Sequence, residues 1–317
     1  MKPYITRRLS ESLNIIVRLM VLIPLPFILM LIPAGKYWTH VLIITFYYTM
    51  LAQSWNLLAG YAGFIALSTH AFSAIGAYVS ALSIMYLKVP LVVGMIMGCL
   101  SCLAIGYFIG AITLRLRVIY LAIVTWGFAE IVRLILAIEY DITRGYQGLY
   151  VPRIFGSSSI LVYYFLFFSF LVITTILVRF LVDSRIGYYL RAIKDDEILA
   201  SSCGVDVVKW RKFVFAISSL LSGLCGVLYG HYVGMLSPAL VEFYEMATII
   251  IMVIIGGLGT FWGPFLGAFL IEPLSEFFRQ YAEIRMVLLG LVVIILMRTY
   301  RGGIISLIGK LKEHIVS

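Results

Sequence analysis

The stretch LVVGMIMGCLSCLAIGYFIGAITL, Leu91 to Leu114, runs for 24 residues without a charge and carries a small residue at every fourth place: Gly94, Gly98, Cys102, Gly106 and Gly110. A bilayer span takes about 20 apolar residues, so this run is long enough to cross a membrane as a helix. Its unbroken apolar character excludes a transmembrane β-strand, which would alternate apolar and polar over about ten residues. The spacing puts the small residues on one helix face, where they let another backbone approach in a medium that offers no hydrophobic drive for helix association. Ser218, Ser222, Gly226, Gly230 and Gly234 form a second such ladder. Both helices are expected at the centre of a bundle, and Cys102 reads as a packing residue rather than as half of a redox Cys99/Cys102 pair.

Working outward, further runs of spanning length lie at about Leu13 to Leu31, Val41 to Leu58, Ala62 to Leu87, Val118 to Ile138, Ile160 to Val182 and Phe213 to Leu236. A Gly-broken segment from Met246 to Ile271 and a shorter run from Met286 to Met297 follow. Of the 317 residues 62% are hydrophobic and 12% charged, against about 25% charged in soluble domains. The mean hydropathy is +1.05. The fold class expected is all-α: a polytopic transmembrane helical bundle, one domain over residues 1–317, with a single sizeable polar loop at about residues 183–212.

The net charge of +9 does not point to nucleic acid, because the basic residues sit at the ends of apolar runs and not along one face. They set topology. Arg115 and Arg117, the loop residues Arg185, Arg191, Lys194, Lys209, Arg211 and Lys212, and both basic termini are all expected on the cytoplasmic side. Termini on one side require an even number of crossings: eight if Met246 to Ile271 is a re-entrant hairpin, ten if it divides with Pro264 to Phe278 into two. No small-residue cleavage site follows the first run, so it is expected to stay as a helix. The four cysteines give no disulfide framework.

Glycine interrupts apolar segments at Gly60, Gly63 and Gly76, and again at Gly256, Gly257, Gly259, Gly263 and Gly267. Broken helices at membrane depth are tolerated where they are buried or line a cavity, so paired breaks in the two halves of a chain mark either a solute path or close packing. Thr69 and His70 lie in the first broken segment, and a membrane histidine is either functional or a hydrogen-bonded member of the bundle. Glu130 and Arg133, three apart on one helix face, suit an ion pair. In the polar loop, Ile193, Ile198, Leu199 and Cys203 suit a short amphipathic helix ended by Gly204, whose apolar stripe must be buried in the bundle, in the membrane surface or in a partner. Gly303 to Lys310 is not a nucleotide loop: five residues separate its glycine from Gly309, and Leu311 stands where Ser or Thr must hold magnesium. No nucleophile and base, or metal-ligand spacing, indicates an enzyme.

These residues resemble a family. Asn56-Leu-Leu-Ala-Gly60-Tyr-Ala-Gly63 leading to Ala74-Ile-Gly76-Ala-Tyr78, Arg115 through Phe128-Ala-Glu130-Ile-Val-Arg133, Leu190-Arg-Ala-Ile-Lys-Asp-Asp-Glu197 with Ala200 and Gly204, and Met252 through Gly267 are similar, in order and spacing, to the LivM-type permease of branched-chain amino acid ABC importers. The resemblance implies a permease subunit of the bacterial inner membrane that binds no cofactor itself. It implies pairing with a second, LivH-like permease, two cytoplasmic ATPases that bind ATP, and a periplasmic binding protein. It makes Arg191, Asp195, Asp196, Glu197, Ala200 and Gly204 the loop that couples to an ATPase. The paired breaks, with Asn56 ahead of the first, give the candidate substrate path: Asn56, Gly60, Gly63, Thr69, His70, Gly76, Gly256, Gly257 and Gly259. Thr69 stands where the family pattern has His or Gln, with His70 one place later, and one place turns a helical side chain by about 100°. The solute implied is a branched-chain amino acid, with urea or amides as the alternative. A secondary transporter or channel would carry more ionisable groups at the bilayer centre than Glu130, Arg133 and His70.

Overall fold

The computed structural model describes residues 35–113, 118–155 and 159–278, with isolated positions between 287 and 305. The first apolar run, the Arg115 and Arg117 turn, most of the last run and the total of crossings lie outside the described residues. Among these, the helices are α1 (Gly35–Asn56, continued by a π-turn at Leu57–Tyr61), α2 (Thr69–Leu87), α3 (Leu91–Thr113), α4 (Val118–Ile138), α5 (Tyr140–Thr143), α6 (Ile160–Val182), α7 (Arg185–Asp195), α8 (Glu197–Ser202), α9 (Val207–Val233), α10 (Phe243–Gly256) and α11 (Gly263–Phe277). Six of the described helices are long and apolar enough to cross a membrane: α1 with its π-turn, α2, α3, α4, α6 and α9.

Of the two ladder helices only α9 is central, with α1 and α2; α3 packs on α2 and α9 by its ladder face and is otherwise turned outward. All five small residues of the α3 ladder are buried. A Cβ added at Gly98 would meet the Gly76 carbonyl and Val227, and one at Gly110 would meet Phe215. On α9 the small residues serve two faces. Gly226 lies against the Ser73 backbone of α2, Gly230 against Ala77, and Gly223, three places before Gly226 on the same face, against Gly76 of α2 and Cys102 of α3. Ser222 and Ser218 instead face α1, where their hydroxyls lie 2.8 and 2.9 Å from Ser54 Oγ. The outward faces of α3 and α4 are apolar: Ile112, Ile119 and Ile138 are each more than 70% exposed, as suits contact with lipid.

The run from Ala62 to Leu87 is not the single helix its length suggests. From Ala62 to Ser68 the chain is non-helical and only at Thr69 does α2 begin. Gly63, at φ +78°, makes the turn. Backbone polar groups at this depth must be satisfied from within the protein, and they are: Phe64 N donates to Leu58 O (3.0 Å), Trp55 Nε1 to Ala66 O (2.8 Å) and Leu67 N to Thr125 Oγ1 (2.8 Å). Met246 to Ile271 divides at 257–262 into antiparallel α10 and α11, with Gly256 and Gly267 at their closest approach.

The polar loop folds as two helices rather than one. Ser184 Oγ caps α7 by accepting from Ile186 N (3.2 Å), and Asp196 ends α7 and caps α8 by accepting from Ile198 N and Leu199 N (2.9 Å each). Such caps satisfy the free N–H groups of a first turn. The expected apolar stripe is thereby split. Ile193 and Ala200 are buried, whereas Ile198 and Leu199 are 80% and 62% exposed. At the opposite end of the bundle Leu149–Tyr150 (β1) pairs antiparallel with Met235–Leu236 (β2), and His231 ties α9 to Ser80 (2.8 Å) and to the Pro152 carbonyl (2.7 Å).

Candidate functional site

The two glycine breaks meet at the polar-loop end of the bundle. Asn56, the last residue of α1, spans them: its Nδ2 donates to Thr260 O (2.9 Å) and its Oδ1 accepts from Gly259 N (2.8 Å). The contact needs glycine on both sides. A Cβ at Gly60 would lie 2.6 Å from Gly259 N, and Gly259 itself holds φ +75°. Gly257 is at φ +126°, and its carbonyl accepts from Thr260 Oγ1 (2.6 Å), while Thr260 Oγ1 in turn accepts from Gly263 N (3.1 Å). The second break is therefore a hydrogen-bonded turn between α10 and α11.

Cations from the polar loop and its flanking helices hold both breaks. Lys194, in the last turn of α7, donates from Nζ to Gly60 O at 2.7 Å, capping a carbonyl that the end of α1 leaves without a helical partner. Arg191 lies over the Tyr61 ring (5.7 Å) and donates to Val182 O (3.3 Å). Arg211 is buried, lies over the Phe64 ring at 4.3 Å and pairs with Glu197 at 2.5 Å. At the second break Arg179 lies over the Phe261 ring (5.1 Å) and pairs with Asp183 (2.5 Å). α7 thus touches the first break directly, through Lys194 at Gly60 and Arg191 at Tyr61, whereas Phe64 and Phe261 are contacted by Arg211 of α9 and Arg179 of α6, which pair with Glu197 of α8 and with Asp183.

The other residues singled out from the sequence lie elsewhere. Thr69 and His70 are buried in the first turn of α2, and His70 Nδ1 has no partner among the described residues. Gly76 sits mid-bundle against Gly223. Glu130 and Arg133 form an ion pair on α4, with Arg133 Nη1 also donating to Tyr146 (2.6 Å). Asp195 is exposed, and Gly204 closes α8 at φ +84° with open space around it. Among the described residues no His, Cys, Asp and Glu group could hold a metal ion. Sequence reasoning did not single out Lys194, Arg211 or Arg179 as ties to the breaks. The signal available was their position, basic residues flanking a polar loop, which reads first as topology. It also passed over Tyr48, which donates to Glu245 (2.6 Å), and the buried Glu272.

Residues 37–297 match the family model described as branched-chain amino acid transport system / permease component. The chain is 29% identical over 282 residues to the high-affinity branched-chain amino acid transport system permease protein LivM of Escherichia coli (strain K12), covering 80% of this chain and 66% of that relative, just under two thirds of its length. It is 28% identical over 215 residues to a probable LivM of Methanocaldococcus jannaschii, covering 64% of this chain and 60% of the relative. It is 25% identical over 287 residues to the permease protein LivH of the same E. coli system, covering 80% and 90%. No solved structure matches the chain.

Proposed function

The chain belongs to the family of branched-chain amino acid transport system permease components, and from that premise we propose that it is the membrane-embedded permease subunit of an ABC importer for a branched-chain amino acid or a similar small zwitterionic or amide solute. One observation carries the reading: the polar loop is tied through Lys194 and Arg211 to the first glycine break, and that break is tied through Asn56 to the second. A loop built to move the breaks needs something to move it. Ile198 and Leu199, exposed on α8, are the apolar surface that an ATPase would cover.

In this proposal two cytoplasmic ATPases bind and hydrolyse ATP, so the permease needs no cofactor of its own. A second permease subunit, for which the likeness to LivH provides a template, completes the path, and a periplasmic protein delivers the solute. The polar loop and both termini face the cytoplasm of a bacterial inner membrane, in keeping with their positive charge. Closing the ATPases draws on α7 and α8, and the Asn56–Gly60–Gly259 junction opens or shuts the inner end of the path. The solute carboxylate is received where the chain re-enters helix at Thr69, at the positive end of α2. The test is uptake of labelled leucine by a strain lacking this chain. The proposal expects uptake to fall to background and return with the chain on a plasmid. Unchanged leucine uptake with lost urea or amide uptake would reassign the solute.

A further inference from the structure

We propose that the groove between α3 and the beginning of α9 binds an anionic phospholipid of the membrane leaflet nearest the polar loop. The groove has a volume of about 770 Å³ and apolar walls from Leu103, Phe108, Phe213 and Ile217. Two cations border it. Lys209 and Lys212 are three apart on α9, hence on one helix face. Lys209 Nζ lies 5.5 Å from the Trp210 ring centre and Lys212 Nζ 6.0 Å from that of Tyr107. Asp206, the acid at the rim, is engaged as the helix cap and accepts from Lys209 N at 2.9 Å. The neighbouring Arg211 turns inward to Glu197 and Phe64, so the groove mouth carries two lysines against the single carboxylate of Asp206.

Lysine stems run along apolar surface and carry their ammonium groups to the headgroup level, where aromatic residues also collect. A cleft with acyl-sized apolar walls below two such ammoniums fits one molecule that is apolar along its length and anionic at its head. Free phosphate would have no use for the walls, and a zwitterionic lipid would gain little from the second cation. Basic pockets between membrane helices recognise acidic headgroups by this chemistry.

The experiment is native mass spectrometry of the purified full chain in detergent with equimolar phosphatidylglycerol and phosphatidylethanolamine of matched acyl chains. The expected result is selective retention of phosphatidylglycerol. That retention should fall about fivefold for each lysine neutralised in Lys209→Gln and Lys212→Gln, hold in Lys209→Arg/Lys212→Arg, and vanish for both lipids in Ile217→Trp, which fills the cleft. Thermal midpoints in detergent confirm that the variants fold. Equal retention of the two lipids, no retention by the wild-type chain, unaltered retention in the double Gln variant, or displacement of the lipid by inorganic phosphate would each overturn the proposal.

Discussion

Lys194 has the sharpest consequence of any single side chain. Its ammonium caps the Gly60 carbonyl at 2.7 Å, and a partly buried acceptor that loses its donor costs about 1–3 kcal/mol. Lys194→Met keeps the stem and removes the charge, so leucine uptake is expected to fall at least tenfold, with membrane level unchanged and Lys194→Arg partly restoring it. Uptake at the wild-type rate in the Met variant would detach this residue from transport. Gly226 supplies a test of packing. Its missing Cβ would collide with the Ser73 backbone, whereas nothing lies within 4 Å of one at Gly127. Gly226→Ala is therefore expected to destabilise the bundle by about 1–3 kcal/mol, outweighing the roughly 1 kcal/mol of helix propensity that alanine gains, while Gly127→Ala holds or raises the thermal midpoint in detergent. Gly60 and Gly259 were legible in the sequence as punctuation. Their contact with each other was not, because it depends on how α1 and the α10–α11 turn pack, and no local pattern encodes that.

Among the elements, the spanning helices were legible from apolar length, since a lipid-exposed helix has no other way to satisfy its backbone. The non-helical 62–68 stretch was less so: its composition is as apolar as a helix, and Gly63 in the left-handed region, with Trp55 and Thr125 supplying hydrogen bonds, keeps it unwound. The α3 ladder could be read by counting in fours. Counting α9 in fours missed Gly223, which precedes Gly226 by three places on the same face and meets Cys102. The polar loop was expected to hold one amphipathic helix, and Asp196 made two by capping the second. That break turns Ile198 and Leu199 outward. Replacing both with Glu is expected to abolish co-purification of the ATPase partners while the chain remains in the membrane at its normal level. Undiminished co-purification would move the docking surface elsewhere.

Taken as an assembly, the protein joins a hydrogen-bonded pair of glycine breaks to a polar loop that has exposed apolar residues and no nucleotide loop. Asn56, Lys194, Arg211 and Arg179 make one connected path from that loop to both breaks, which in the proposed function is moved by another subunit. The central claim is that transport here is driven from outside the chain. Reconstitution in liposomes with the companion permease, the ATPases and the binding protein tests it most directly. Labelled leucine is expected to accumulate only with ATP hydrolysis and to stop accumulating when the ATPases are omitted. Flux through the purified chain alone, powered by an ion or solute gradient and indifferent to ATP, would contradict it.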